Sequence, residues 1–299
     1  MNKIGFIGLG KMGAPMARRL VEAKHEVVGF DLHRETLSLL SGHGIVPARS
    51  AADVASQCDP VMLSLPSSRN VEAAIMGSDG VLASGKAGMM VIDMSSSSPV
   101  STRDLAVQMK ERGAEFVDAP VSGRPAGAAA GTLTIMVGGT AEQYQKALPV
   151  LSVLGKKVIH VGGVGAAHTL KAINNFLSAT NLVAAAEAFT AAVKAGLDPA
   201  AALDVINQSS GHNEATRIKF PQYVLNGRFD SGFTVGLMNK DVGLFLELIR
   251  DLGLPSLLAG VVGQVYTLAA LLHGPESDNT EIVRLWERWA DVEIRTPER

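Results

Sequence analysis

A glycine-rich turn near the start of the chain constrains its fold more than any other feature. Three glycines in a GxGxxG pattern lie between the apolar run Ile4–Ile7 and the helical stretch Ala14–Ala23. In such a unit the first glycine permits a tight turn, the second lets the backbone approach a pyrophosphate, and the third lets helix and strand pack closely. The helix N-terminus then attracts the anion. We therefore predict a Rossmann-type unit whose cofactor contacts Gly8, Leu9, Gly10, Lys11, Met12 and Gly13.

An acidic residue at the end of the second predicted strand bears on the choice of cofactor. Asp31 ends the run Glu26–Asp31, where a carboxylate is expected to bond the 2′-hydroxyl of a ribose. A carboxylate at this point disfavours the 2′-phosphate of NADP. Arg34 leaves NADP open, because an arginine nearby accommodates that phosphate. The cofactor is expected to be NAD or NADP, with NAD favoured.

Apolar runs alternate with helical stretches such as Thr102–Arg112 until residue 163, and strand signals nearly vanish afterwards. The alternation, with several runs almost continuously apolar, predicts a doubly wound parallel sheet. Ala166–Ala195 predicts one long helix that ends at Gly196. We therefore expect an α/β Rossmann-type N-terminal domain at residues 1–163 and an all-α domain at residues 164–299, joined by the long helix. The predicted strands are Lys3–Leu9, Glu26–Asp31, Val61–Leu65, Met89–Met94, Glu115–Val121, Thr132–Gly139 and Lys157–Gly163, and the later helices are Asp198–Gln208, Lys240–Asp251, Pro255–His273 and Thr280–Asp291.

Composition excludes several classes of function. The 299 residues carry a formal net charge of −2 and no basic block, which argues against a nucleic-acid partner. A single cysteine, Cys58, rules out an internal disulfide, and the seven histidines show no metal-ligand spacing, so no metal is expected. Lys11 interrupts any signal peptide, and the apolar stretch Ser256–Leu272 falls short of the about 20 residues of a membrane span. A cytoplasmic protein without a membrane partner is expected.

Polar residues form a stripe on the predicted long helix. Lys171 is followed at +3, +4 and +7 by Asn174, Asn175 and Ser178, amid alanine, isoleucine, phenylalanine and leucine. Buried polar groups need partners, and a ligand could supply them. The spacing leaves two interpretations open: a lysine that moves a proton in a ligand site, or a surface lysine with asparagines that cap a neighbouring loop. His168, one turn earlier, is equally compatible with lining a site and with a structural role.

Four segments together resemble the β-hydroxyacid dehydrogenase family, which includes 3-hydroxyisobutyrate dehydrogenase and 2-hydroxy-3-oxopropionate reductase. They span essentially the whole chain in the family's order: FIGLGKMGAPMARRL at the N-terminus, DAPVSG (118–123) followed by GTLTIMVGG (131–139), GAAHTLKAINN (165–175), and NKDVGL (239–244). The resemblance implies that Lys171 is the general acid and base, assisted by Asn175. It also implies that Ser122, Gly123 and Asn174 bind the substrate, and that Ser96 and Lys240 approach the cofactor, with Asp241 supporting Lys240.

The chain departs from the family pattern beside the predicted carboxylate-binding turn. Arg124-Pro125 follows Gly123, where the family often has further glycine. Arg124 is compatible with a substrate that carries an extra anionic or polar group, or with a salt bridge to a local acid. Two smaller departures are Ala167, where a second glycine is frequent, and the pair Ser95-Ser96, where the family has serine-threonine.

The resemblance implies an NAD(P)-dependent oxidoreductase that interconverts a small β-hydroxy acid and its semialdehyde or oxo acid by hydride transfer. An imine reductase-like reduction of C=N bonds is one alternative. A catalytically idle nucleotide-binding module is another, but such a module should have lost Lys171 or gained a basic arm. A homodimer or homotetramer is expected. Pro255–His273 could pack against another subunit, although burial within one subunit would explain this stretch nearly as well.

Overall fold

The computed structural model of the protein describes residues 3–296, except for the side chains of residues 34 and 40. The chain divides into two compact units, Met1–Lys171 and Ala172–Arg299. The predicted domain boundary, at residues 163 and 164, lies slightly earlier, between the last strand and the long helix. The predicted fold class is confirmed: the first unit is Rossmann-like and the second is helical.

The first unit is built on a sheet that has nine strands within residues 3–296. Its order is β3-β2-β1-β4-β5-β6-β8-β7, and β9 pairs with β8. All pairs from β3 to β6 are parallel, but β8 runs antiparallel to β6 and β7. The predicted doubly wound parallel sheet is therefore confirmed from β3 to β6, and β8 adds an antiparallel strand beside β6. The strands are β1 (Ile4–Ile7), β2 (Val27–Phe30), β3 (Ile45–Pro47), β4 (Val61–Leu63), β5 (Met90–Asp93), β6 (Glu115–Asp118), β7 (Val121–Ser122), β8 (Leu133–Gly138) and β9 (Gly155–Gly162).

Helices cover both faces of this sheet, which is why its parallel strands are largely apolar. Phe6 lies in one apolar cluster with Met16 of the first helix, whereas its neighbour Ile7 lies in another with Val54 and Leu105. Cys58 belongs to the second cluster, and burial raises the pKa of its thiol to about 11. The helices are α1 (Gly13–Glu22), α2 (Arg34–Ser41), α3 (Ala51–Gln57), α4 (Ser68–Met76), α5 (Val81–Ser84), α6 (Pro99–Glu111), α7 (Arg124–Ala130) and α8 (Ala141–Leu154).

The second unit is helical and has its own apolar core. Phe189 and Phe220 pack against each other in this core with tilted rings, whose centroids are 4.6 Å apart, and the fully buried Tyr266 belongs to the same cluster. The long helix, α9 (Ala166–Lys194), starts in the first unit and continues into the second. It is followed by α10 (Pro199–Asn207), a π-helix (Ala215–Val224), α11 (Val235–Asp251), α12 (Leu257–His273), a 3₁₀ turn (Asn279–Ile282) and α13 (Val283–Ala290).

Two apolar helices bear on the expectations for membrane and subunit contacts. α9 is long and apolar enough to cross a membrane, but the buried core helices of other proteins meet the same criterion. On α12 the side chains of Leu257, Val261 and Leu271 are exposed, so burial within the described chain does not account for them. The predicted subunit interface on this helix stays a prediction.

Candidate functional site

The glycine turn after β1 has the steric properties that the sequence predicts. Gly8 adopts a left-handed φ of +89°, and a Cβ there would press on the backbone oxygen of Ser64. A Cβ at Gly13 would overlap the carbonyl oxygen of Gly8, so the helix can approach the turn only without a side chain. Gly10 faces open space. Because α1 begins without a side-chain cap and has no acid in its first turn, its N-terminus suits a pyrophosphate.

Asp31 fixes this turn from the end of β2. Its Oδ2 accepts a hydrogen bond from the backbone N–H of Leu9 at 2.7 Å, and its Oδ1 accepts one from the N–H of His33 at 2.8 Å. The carboxylate is therefore held beside the glycine turn, where a ribose hydroxyl would lie. Arg34 begins α2, but its side chain lies outside the described part of the chain. The residues of this turn fit a nicotinamide dinucleotide.

Three predicted contacts with the cofactor have different surroundings. Lys11 is exposed in the glycine turn, whereas the neighbouring Met12 is half-buried. Ser96 is half-buried just after β5, between the buried Ser95 and Ser97. Their roles toward a cofactor remain predictions.

A buried carboxylate from β6 caps the helix that carries Lys171. Asp118 is fully buried and accepts hydrogen bonds from the backbone N–H of Gly165 at 2.8 Å and of His168 at 2.9 Å. These N–H groups lie at the N-terminus of α9, where a carboxylate also complements the helix dipole. Gly138, which pairs with Asp118 across β6 and β8, leaves the space that this carboxylate fills.

His168 completes the attachment of α9 to the sheet. Its Nε2 lies 3.0 Å from the carbonyl oxygen of Ser95, and its Nδ1 lies 2.7 Å from the hydroxyl of Thr102. A carbonyl oxygen only accepts, so Nε2 carries a proton and donates it. Asp93 and Asp118 lie 3.8 Å and 3.9 Å from the ring. Of the two roles considered for His168, these contacts support the structural one.

The predicted carboxylate-binding turn combines an exposed serine with an unusual backbone. Ser122 ends β7 and is exposed. Gly123 has a φ of +142°, and a Cβ there would press on the side chain of Leu133. The exposed Arg124 then takes a left-handed φ of +60°, a conformation that costs a residue with a side chain about 1–2 kcal/mol.

The polar stripe of α9 leads into a hydrogen-bonded chain in the second unit. Asn174 donates to Asn175 Oδ1 at 3.1 Å, and Asn175 donates to Asp241 Oδ2 at 2.6 Å. The other oxygen of Asp241 lies 3.1 Å from Lys240 Nζ, without hydrogen-bond geometry. Asn175 and Asp241 are buried. Lys240-Asp241 is therefore not an ordinary pair of solvated charges on a helix surface. Lys171 is half-buried one turn before Asn175.

Sequence reasoning missed three residues that the structure singles out. Asp118 and Thr102 bond across long sequence separations, although an acid at the end of an apolar strand was a usable signal for Asp118. Lys219 is buried on the π-helix, in a segment without apolar periodicity. Within residues 3–296, no group of three or more histidine, cysteine, aspartate and glutamate side chains is arranged to hold a metal ion.

Two family models together match almost the entire chain. Residues 3–162 match the NAD binding domain of 6-phosphogluconate dehydrogenase. Residues 165–286 match the model described as the NAD-binding part of NADP-dependent 3-hydroxyisobutyrate dehydrogenase. Both models concern a nicotinamide cofactor, and they do not separate NAD from NADP.

Individual relatives agree with the family models. The chain is 38% identical to 2-(hydroxymethyl)glutarate dehydrogenase of Eubacterium barkeri, over 98% of this chain and 97% of that one. It is 36% identical to NAD-dependent L-serine dehydrogenase of Pseudomonas aeruginosa, over 96% and 98%. A solved structure of 3-hydroxyisobutyrate dehydrogenase from Mycobacterium tuberculosis with L-serine has a TM-score of 0.89 and 34% identity, over 95% of this chain and 99% of that one. Neither imine reduction nor an idle module is favoured by these relatives.

Proposed function

Because the chain belongs to the β-hydroxyacid dehydrogenase family, we propose that it oxidises a 3-hydroxy acid of the form HOCH₂–CHR–COO⁻ to the semialdehyde, and catalyses the reverse reduction, with Lys171 as general acid and base. The dehydrogenase activity and the nicotinamide cofactor come with the family. The substrate and the residue roles are the proposal. NAD is the preferred cofactor on this proposal, because Asp31 is bonded to the glycine turn and a carboxylate there favours a ribose 2′-hydroxyl over a 2′-phosphate.

The chemistry shared by the relatives supports this substrate class. The names 2-(hydroxymethyl)glutarate, L-serine and 3-hydroxyisobutyrate all describe a carboxylate whose neighbouring carbon carries a hydroxymethyl group. They differ only in the substituent R on that carbon: a carboxyethyl arm, an ammonium and a methyl group. An enzyme for this class must therefore hold one carboxylate and one primary hydroxyl in fixed positions.

Four residues are assigned to the substrate. Ser122 and Gly123 supply a hydroxyl and backbone N–H groups, which suit a carboxylate. Asn175 supplies an amide whose orientation is fixed by its bond to Asp241. Arg124 adds a cation beside the carboxylate turn.

Lys171 is assigned to the proton of the substrate hydroxyl. In oxidation its neutral amine accepts that proton, and a nicotinamide held at the glycine turn would supply the acceptor for the hydride that leaves the hydroxyl-bearing carbon, so that the C–O single bond becomes a carbonyl. In reduction its ammonium returns the proton to the oxygen. Asp118 and His168 act as positioning residues, because they anchor the first turn of α9 one turn before this lysine.

The observation that carries the proposal is the anchored stripe on α9. Asn175 is 6% exposed and Asp241 is 3% exposed, and the 2.6 Å bond between them fixes the amide one turn after Lys171. Removing two polar side chains from water costs stability even when they bond each other, so a purely structural helix has little use for them. A ligand site beside Lys171 gives this arrangement a role.

Steady-state oxidation of the three hydroxy acids, followed by nicotinamide absorbance with NAD⁺ and with NADP⁺, tests the proposal. We expect Lys171→Ala to lower kcat by about 10²–10⁴-fold on every acid that the wild type oxidises, because general acid–base catalysis contributes that much. Lys156→Ala, which removes an exposed lysine of the first unit, is the matched control and should not change kcat. Full turnover by Lys171→Ala would refute the proton relay, and a wild type that oxidises none of the acids would refute the substrate class.

A further inference from the structure

Lys219 is a buried lysine that the proposed proton relay does not use. The residue is 5% exposed, although lysines are almost never fully buried unless they are paired. It lies on the π-helix, a rare form that is frequent at functional sites. Its ammonium donates to Ser178 Oγ at 3.0 Å and lies 3.1 Å from Glu214 Oε2.

Ser178 links this ammonium to the face of α9 that carries the proposed substrate residues. It follows Lys171 by seven positions and Asn175 by three, so the three side chains share one stripe of the helix. At 1.5 Å per residue, Ser178 lies about 4.5 Å beyond Asn175 along the helix axis. The Lys219 ammonium therefore contacts a residue about one helical turn from the amide that holds the substrate in the proposed function.

This spacing matches the dimensions of a diacid. In a substrate HOCH₂–CHR–COO⁻ with a carboxyethyl R, four carbon–carbon bonds separate the two carboxyl carbons, which is about 5 Å in an extended chain. A methyl R offers an ammonium no partner. The ammonium R of L-serine would place a second cation near Lys219, which is unfavourable in a poorly solvated site.

On the proposed function, we propose that Lys219 determines specificity at R and that it selects an anionic R, so the preferred substrate is a hydroxy diacid. Glu214 does not reverse this selection. The side chain of Glu214 is 46% exposed and keeps much of its hydration. The side chain of Lys219 is only 6% exposed, so a second anion would stabilise its poorly hydrated ammonium further. Such charge-assisted bonds are about twice as strong as neutral ones.

The test is the ranking of kcat/KM for 2-(hydroxymethyl)glutarate, 3-hydroxyisobutyrate and L-serine in the wild type, Lys219→Met and Lys219→Arg. We expect the wild type to prefer the diacid. Lys219→Met should lower kcat/KM for the diacid by about 10- to 100-fold, the equivalent of one hydrogen bond to a charged group, and raise it a few-fold for 3-hydroxyisobutyrate. Lys219→Arg should keep the preference for the diacid.

Two outcomes would overturn the inference and leave the proposed function intact. One is a wild type that prefers L-serine or 3-hydroxyisobutyrate, and the other is an equal loss on all acids in Lys219→Met. Titration with NADH, followed by its fluorescence, separates a misfolded variant from a specific loss. If Lys219→Met fails to bind NADH, the kcat/KM ranking of Glu214→Gln tests the inference instead. Removal of the competing carboxylate should strengthen the preference for the diacid. An unchanged or weaker preference refutes the inference. Failure of the wild type on every acid refutes the proposed function first.

Discussion

Replacing Asp118 with asparagine tests whether the carboxylate from β6 holds the start of α9. The wild-type carboxylate accepts from two buried backbone N–H groups, those of Gly165 and His168. Asparagine has one acceptor oxygen, so one of these N–H groups would face an NH₂ group instead. The substitution changes no volume, and Gly138 leaves the same space for either side chain. Any loss of stability therefore reports on the hydrogen bonds.

The magnitude follows from the two bonds. One buried N–H without an acceptor costs about 1–3 kcal/mol, and the remaining bond loses about 1 kcal/mol when its acceptor becomes neutral. The free energy of unfolding should fall by about 2–4 kcal/mol. For a unit of this size each kcal/mol lowers Tm by about 2–4 °C, so the expected decrease is about 4–16 °C.

Differential scanning calorimetry of Asp118→Asn measures this decrease directly. Asp104→Asn, on the exposed face of α6, is the matched control, and its free energy of unfolding should stay within about 0.5 kcal/mol of the wild type. On the proposed function kcat should fall as well, because the cap holds the helix that carries Lys171. If Asp118→Asn has the same Tm as Asp104→Asn, the two hydrogen bonds do not stabilise the start of α9 and the capping role is wrong.

Two further substitutions test the cofactor and carboxylate turns. Asp31→Ser should weaken NADH binding by about 10- to 100-fold, because it removes a charged acceptor, and it should shift the relative affinity toward NADPH. Fluorescence titration with both cofactors measures the two affinities. An unchanged ratio of the affinities would contradict the prediction. Arg124→Gly removes the guanidinium, and it removes a left-handed backbone cost of about 1–2 kcal/mol against about 0.5–1 kcal/mol of extra glycine entropy. The same variant should lose preference for substrates with a second anion, and an unchanged kcat/KM ranking would show that Arg124 does not contact R.

The features that sequence reasoning predicted are those that local pattern determines. The glycine turn and its neighbouring strand are contiguous in the chain, so their spacing alone carries the geometry. The helix of Lys171 was predicted from Ala166 to Ala195 and is found at Ala166–Lys194, because a long alanine-rich stretch ended by Gly196 leaves little ambiguity.

The features that were missed depend on partners distant in sequence or on weak local signals. The antiparallel direction of β8 has no local signature, since the alternation of strand and helix is the same for both directions. The π-helix contains Pro221 and lacks an apolar period, so neither it nor the burial of Lys219 could be predicted. The cap from Asp118 joins residues 47 and 50 positions apart. Such contacts become visible only when the sheet order is known.

The pairing of Asp118 with Gly138 also has a consequence for how the chain folds. These two residues lie opposite each other where the sheet changes from parallel to antiparallel. A slip of β8 by one residue would bring Val137 or Gly139 opposite the carboxylate and turn every β8 side chain to the other face. A valine at that point would fill the space that the carboxylate occupies, so the helix cap depends on the register of β8. Strand alignment and the ordering of the Lys171 helix are in this way coupled, and a chain trapped with Val137 opposite Asp118 would also lack the cap of that helix.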